Sequence, residues 1–253
     1  MTALDFTPAA GAAPPVRRIM RHGVLEARLL TRNGEQLLLT LVIPLGILLA
    51  GRLVHGRFGP LEVVAPSVLA LAAWSTGFTS VAIATAFERR YGVLERLAVT
   101  PLGKSGLIAG KSFAIILIMT GQVTILAGVA VALGWRPAFT VLSAAVALLL
   151  VIMATATFVC LGLLIAGRLR AEATLGLANL IYLVVLAGGA LVVPLERYPA
   201  AVRPVIQALP TAALGEGLRA AAIGYALGGP VIVLAVWLPA AAWVARRGFR
   251  WTA

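Results

Sequence analysis

The chain has 253 residues, of which 61% are apolar and 12% charged, and its mean hydropathy is +1.00. Soluble domains are about 45–50% apolar and about 25% charged, so this composition excludes a soluble globular domain and a disordered chain. The 21 Lys and Arg residues outnumber the 9 Asp and Glu residues, but they lie between long apolar runs, which excludes a solvated nucleic-acid-binding protein. One cysteine and two separated histidines provide no disulfide framework and no usual metal site.

Long uncharged runs predict the membrane-spanning helices. A helix needs about 20 apolar residues to cross the hydrocarbon core of a bilayer. A sixth, shorter run, 37–54, contains Arg52, whose long side chain near a helix end can reach the headgroups. We therefore predict an all-α polytopic membrane protein with six transmembrane helices. The five clear runs each have 23 residues or more and cover 63–87, 112–135, 137–167, 173–195 and 220–245.

The N-terminal segment differs from the rest of the chain in composition. Met1–Pro15 contains three prolines and a single charged residue, Asp5, and arginines follow it where a signal peptide would have an apolar core. We interpret 1–36 as a cytoplasmic N-terminal tail and interfacial segment. Residues 37–253 form one six-helix membrane domain in this prediction.

The basic residues predict the orientation. With six spans, the termini and the loops on their side of the membrane hold fifteen Lys and Arg residues, and the opposite loops hold six. Positive residues favour the cytoplasmic side, so both termini are predicted to be cytoplasmic and 51–62 and 196–219 to face outward. The excess of Arg over Lys, 19 to 2, with abundant Ala and Gly, is typical of a GC-rich bacterial source, which would place the protein in the cytoplasmic membrane.

The polar residues disfavour ion coupling and catalysis. All nine acidic residues lie in tails, loops or span ends, whereas an ion-coupled carrier or an intramembrane hydrolase needs ionisable groups at mid-membrane. Gly106–Ser112 approaches the phosphate-binding loop pattern but is one residue short and follows no strand. We interpret Lys104 and Lys111 as basic anchors at a cytoplasmic helix start, and we predict no enzyme activity and no cofactor in this chain.

The predicted loop after the second span is unusual. Gly92 can start and Pro101 can end a short helix on which Leu94 and Leu97 make an apolar edge. Such a helix can dock in the groove of another protein. The alternative is a solvated, positively charged loop with an interfacial helix.

Two segments carry a resemblance to a known family. The run Glu88–Leu102, followed by Gly110-Lys111, resembles the cytoplasmic loop of ABC-2 type exporter permeases, in particular the daunorubicin-resistance-like subgroup. Leu209–Arg219 is similar to the outward segment of that family between spans five and six, where short re-entrant helices dip back towards the membrane. Pro199 and Thr211 suit the starts of two such helices, over 199–208 and 211–222.

The resemblance implies a function and partners. Permeases of this family work as two subunits, identical or paralogous, with two P-loop ATPase subunits that bind ATP and Mg, and they export drugs, antibiotics, lipids or glycolipids. A membrane scaffold subunit without transport activity is the alternative, followed by an ion-coupled carrier. The resemblance assigns coupling to the ATPase to Glu88, Arg89, Arg90, Tyr91, Gly92, Leu94, Glu95, Arg96, Leu97 and Pro101.

Hydroxyl and amide side chains are candidates for the cargo path. Ser75, Thr76, Thr79 and Ser80 share one face of an α-helix by their spacing of three and four. They either line a path or bond within and between helices. In the resembling family spans two and five face the dimer centre, which adds Asn179 and Tyr182 to the predicted path.

Overall fold

The computed structural model describes residues 11–32, 34–53 and 59–250. Within these ranges the chain is helical and contains no strand. A π-helical segment, Ser75–Ser80, and a 3-10 turn, Leu195–Arg197, interrupt the series of α-helices. The α-helices are α1 (Pro15–Arg32), α2 (Gly34–Leu53), α3 (Leu61–Trp74), α4 (Val81–Arg90), α5 (Val93–Ala98), α6 (Gly103–Ala132), α7 (Val141–Ala166), α8 (Ala171–Gly188), α9 (Arg203–Gln207), α10 (Pro210–Ala222) and α11 (Gly228–Gly248).

Five described helical segments are long and apolar enough to cross a membrane, and each overlaps a predicted span. The fifth span ends at Gly188 and not at residue 195; Gly189 caps it and donates its backbone N–H to the Val185 carbonyl at 2.7 Å. The last span begins at Gly228 and not at residue 220, since α10 extends to Ala222 and a turn separates the two helices. The five segments are Leu61–Arg90, Gly103–Ala132, Val141–Ala166, Ala171–Gly188 and Gly228–Gly248.

The remaining predicted span, the shorter run 37–54, overlaps α2. Its apolar described part, Leu41–Leu53, is shorter than the hydrocarbon core requires, and residue 54 of the predicted span lies outside the described residues. The six-span arrangement therefore stays a prediction.

The span Leu61–Arg90 is the centre of the bundle. In its most apolar stretch 72% of the residues are buried, against 17% in α8 and in α11. It packs against α2, α6, α7 and α10. Trp74 stacks on Phe78 with ring centroids 4.3 Å apart and meets Phe158 of α7 edge-on at 4.9 Å. This aromatic cluster fixes the π-helical segment against α7.

The N-terminal helix α1 packs closely against the start of α6. A side chain at Gly23 would lie 2.8 Å from the carbonyl oxygen of Gly110 and 2.6 Å from the ring of Phe113. Glycines allow two helix backbones to approach in this way. The run Gly106–Ser112, which was expected to precede a span beginning at residue 112, lies inside α6, and Gly110 serves helix packing there.

Helix α10 covers the short helix predicted over 211–222, but α9 covers only Arg203–Gln207 of the one predicted over 199–208 and does not begin at Pro199. Helix α10 is almost wholly buried among α3, α7 and α11. Arg219 fastens it, because its guanidinium donates to Ser67 Oγ and the Leu191 carbonyl at 2.8 Å and to the Ala190 carbonyl and Glu216 at 2.7 Å. The predicted return of these helices towards the membrane stays a prediction.

Candidate functional site

A buried charge cluster lies where α1, α4 and α6 meet. The Nζ atom of Lys111 lies 2.8 Å and 3.0 Å from the two carboxylate oxygens of Glu88 and 3.1 Å from Oε2 of Glu26. The ammonium group is therefore satisfied by two carboxylates of other helices. Lys111, interpreted as a basic anchor at a helix start, lies inside α6, and its side chain is buried and paired, because a buried charge without a partner is costly.

His22 extends this cluster along α1. Its Nε2 atom lies 3.7 Å from Oε1 of Glu26, one helical turn further on. Burial lowers the pKa of His22 below its ordinary value of 6.5; the Glu26 carboxylate opposes this shift and the Lys111 ammonium adds to it. Sequence reasoning missed Glu26 and His22 as site residues, although their spacing of four on an amphipathic helix was a usable signal.

Two arginines at the end of α4 contact the beginning of α8. The buried Arg89 side chain donates from Nη2 to the Leu169 carbonyl oxygen at 2.5 Å, in the turn between α7 and α8. Arg90 forms an exposed ion pair with Glu172 in the first turn of α8. Glu88, Arg89 and Arg90 thus join the end of the span Leu61–Arg90 to α6, to α8 and, through Lys111, to α1.

The short helix α5 begins directly after Gly92, as predicted, and ends at Ala98, before Pro101. Gly92 has a φ of +73°, a left-handed conformation that glycine adopts without strain and that turns the chain from α4 into α5. The Thr100 hydroxyl donates to the Leu97 carbonyl at 2.6 Å and closes the far end. The carbonyl of Pro101 accepts a hydrogen bond from Arg18 of α1, so α1 also holds this loop.

The apolar edge of α5 faces inward. Leu94 is 0% exposed and belongs to the main core, and half-buried Leu97 packs against the same core. Both leucines were expected to enter a groove of another protein, but Leu94 is not available for such a contact, because α5 packs against α4 and α6 of this chain and Leu94 is buried there. The side of α5 that faces away from the bundle, together with the residues that flank the helix, is exposed. We call it the outward surface of α5; it consists of Tyr91, Val93, Glu95, Arg96 and Val99, of which Tyr91 is 70% and Val99 87% exposed.

The predicted hydroxyl stripe coincides with the π-helical segment. The wider π turn breaks the common face expected for an α-helix. Thr76 is buried and donates to Gln122 Oε1 of α6 at 3.0 Å, so it joins two helices. Ser75, Thr79 and Ser80 are half-buried, and Ser80 lines a cavity of about 30 Å³ that also borders Glu88 and Lys111.

The two residues of α8 that were predicted to line the cargo path, Asn179 and Tyr182, lie in different surroundings. Asn179 is exposed on the outer face of the helix, whereas Tyr182 is half-buried against the main core. Within one chain Asn179 is therefore not brought together with the hydroxyls of span two. Its face of α8 is otherwise apolar and exposed, with Leu175, Leu180, Leu183 and Val184.

Together these features define a multi-pass helical membrane protein with a charged cluster and an exposed short helix at one end of its central span. The family model described as ABC-2 family transporter protein matches residues 61–247. The chain belongs to this family and is a permease subunit of an ABC transporter, a class of membrane subunit that acts with an ABC ATPase. A comparison with curated proteins found no match.

Proposed function

We propose that this permease exports a hydrophobic or amphipathic compound, such as a drug, antibiotic, lipid or glycolipid, across a bacterial cytoplasmic membrane. Energy comes from ATP, bound with Mg by two copies of a separate ATPase subunit. One observation supports the proposal most strongly: the outward surface of α5 is exposed and partly apolar, while α5 itself is anchored to the central span.

The outward surface of α5 is the proposed contact with the ATPase. Tyr91 and Val99 supply exposed apolar area, and Glu95 and Arg96 supply charges that fix its orientation. Gly92 sets the angle of α5 through its left-handed backbone. Because buried Leu94 packs in the main core, a displacement of α5 by the ATPase is transmitted to the rest of the bundle.

The charge cluster is the proposed next step of this transmission. Lys111 holds Glu88 and Glu26 together, while Arg89 contacts the turn before α8. Movement of the end of span two is thereby shared by α1, α6 and α8. The spans then change between inward-open and outward-open arrangements as rigid bodies.

The exposed face of α8 is the proposed contact with a second permease, identical or paralogous. A helix in lipid gains little from apolar burial alone, but an amide such as that of Asn179 gains from a hydrogen-bonding partner. In this arrangement Asn179 and Tyr182 of two subunits border a central path with Ser75, Thr79 and Ser80.

The proposal can be tested with a variant that disrupts the proposed ATPase contact and leaves the fold of the permease intact. We expect Val99→Asp to abolish co-purification with an ATPase encoded beside the permease gene, because a buried unpaired charge at an interface is costly. Val205→Asp is the matched control: Val205 is also an exposed valine, but it lies on α9 in the segment predicted to face outward. Equal ATPase recovery with both variants, at equal permease yield, contradicts the proposed contact.

Transport must be measured in the same material. Proteoliposomes with both subunits should take up a fluorescent hydrophobic dye when ATP is added outside, and Val99→Asp should remove this uptake. A complex that assembles but moves none of a panel of hydrophobic compounds would indicate the scaffold alternative.

A further inference from the structure

A groove between α6 and α11 lies away from the proposed path and from the outward surface of α5. Ala156 and Cys160 of α7 form its floor, and its volume is about 430 Å³. None of the described residues that line it comes from the span Leu61–Arg90 or from α8. Because α6, α7 and α11 are each long and apolar enough to cross a membrane, the groove opens towards the surroundings expected to be lipid.

The groove is polar at one end and apolar at the other. Ser105 in the first turn of α6 and Arg246 in the last turn of α11 line the polar end. Ala242 lines the middle and Leu238 the far end, and Ser112 of α6 is the one further hydroxyl among the described residues of the lining. From Leu238 to Arg246 helix α11 rises about 12 Å. The groove therefore has the polarity of an amphipathic molecule laid along α11.

Two arginines give the polar end a positive charge. Arg246 is exposed, and the guanidinium carbon of neighbouring Arg247 lies 4.1 Å from the ring centroid of Trp243, which also lines the groove. Stacking over the ring holds the Arg247 guanidinium in place and leaves its N–H edge free to donate. Neither arginine forms an ion pair within the ranges that the structure describes. The polar end is thus suited to an anionic group that comes from outside the chain.

We propose that this groove binds a membrane phospholipid with a negatively charged headgroup. The phosphate accepts hydrogen bonds from Arg246 and Arg247, because guanidinium groups bind phosphate oxygens through paired donors. One acyl chain lies along Ala242 and Leu238. Phosphatidylcholine has the same chains but places a cationic choline beside two arginines, which makes it the poorer occupant.

The lipid site would border the charge cluster without contacting it. Lys111, which pairs with Glu26 and Glu88, belongs to the same stretch of α6 as the lining residues Ser105 and Ser112, but it is buried on another side of the helix. A lipid in the groove would pack against α6, α7 and α11 at once. This site does not depend on the proposed ATPase contact, and either proposal can fail alone.

The test uses quenching of tryptophan fluorescence by brominated lipid in the full-length protein, because Trp243 lines the groove and is 55% exposed. The protein is reconstituted in phosphatidylcholine bilayers in which a rising fraction of the lipid is brominated phosphatidylglycerol or, separately, brominated phosphatidylcholine. The quenching of Trp243 is the difference from the same protein with Trp243→Phe. We expect phosphatidylglycerol to be preferred by roughly fivefold to twenty-five-fold, since each arginine contributes roughly fivefold.

Three variants separate the groove from a general attraction between anionic lipid and a basic protein. Arg246→Gln should lower the preference for phosphatidylglycerol by roughly fivefold. Ala109→Phe narrows the groove at a half-buried lining residue and should remove the preference while both arginines stay in place. Arg136→Gln is the matched control, because Arg136 is also exposed but lies in the turn at the other end of α6; it should behave like the wild type.

Three outcomes overturn the proposal. The first is equal quenching of wild-type Trp243 by the two lipids; if Arg246→Gln then also lost the ATPase, the arginines would belong to a contact with that partner. The second is an unchanged preference in Arg246→Gln or in Ala109→Phe, which would indicate a general attraction of anionic lipid. The third is loss of the preference when soluble glycerol phosphate is added, which would indicate a site for a free anion.

Discussion

Removal of the Lys111 charge should destabilise the permease strongly. Lys111→Met keeps the length and apolar stem of the side chain but leaves Glu26 and Glu88 without the ammonium that lies within 3.1 Å of both. Loss of one member of a buried ion pair costs about 3–5 kcal/mol, because the remaining charge stays buried and unpaired. For a domain of this size that corresponds to a fall in Tm of roughly 6–20 °C.

The assay is thermal unfolding of the detergent-solubilised protein, followed by tryptophan fluorescence. Lys104→Met is the matched control, because Lys104 is half-buried and forms no ion pair among the residues that the structure describes. The triple variant Lys111→Met, Glu26→Gln and Glu88→Gln should recover most of the lost stability, since no unpaired charge remains. A Tm of Lys111→Met equal to that of Lys104→Met, or a triple variant less stable than Lys111→Met, refutes this reasoning.

Three further predictions concern α1 and α8. Gly23→Ala should weaken the packing of α1 against α6, because its new methyl group would lie 2.8 Å from the Gly110 carbonyl oxygen. Trypsin should then cleave after the arginines of α1 faster than in the wild type. Gly121→Ala is the control, because Gly121 has open space around it, and it should be cleaved like the wild type. Acidification should weaken the packing of α1, since burial holds the pKa of His22 below 6.5. The stability of the neutral, buried His22 is fully present above pH 6.5 and is lost as the pH falls through the lowered pKa. A plot of Tm against pH should therefore be flatter for His22→Gln than for the wild type. Asn179→Leu should leave expression and ATPase recovery unchanged but alter cargo-stimulated ATPase activity, and unchanged activity with every transported compound would assign Asn179 to lipid contact.

The helices could be predicted because a bilayer imposes a simple rule on composition. Apolar runs such as 137–167 contain no charge, and the helix Val141–Ala166 lies within that run. The start of α5 was also predictable, since Gly92 supplies the left-handed backbone that a sharp turn into a helix requires.

The orientation of side chains was harder to predict, because it depends on residues distant in sequence. Lys111 pairs with Glu26, 85 positions away, and no local pattern indicates that contact. The direction of Leu94 depends on the packing of α5 against other helices, so an apolar edge alone could not distinguish an inner anchor from an outer docking surface. The extra residue per turn of the π-helical segment likewise has no simple sequence signal, and it moved Thr76 away from the predicted stripe.

Photo-crosslinking from position 99 tests the central claim most directly. A benzophenone amino acid in place of Val99 should form an adduct with the ATPase subunit in native membranes, because Val99 is 87% exposed at the end of α5. The same amino acid in place of Val205 should form none. An adduct from both positions or from neither would contradict the account of α5 as the contact through which ATP drives this permease.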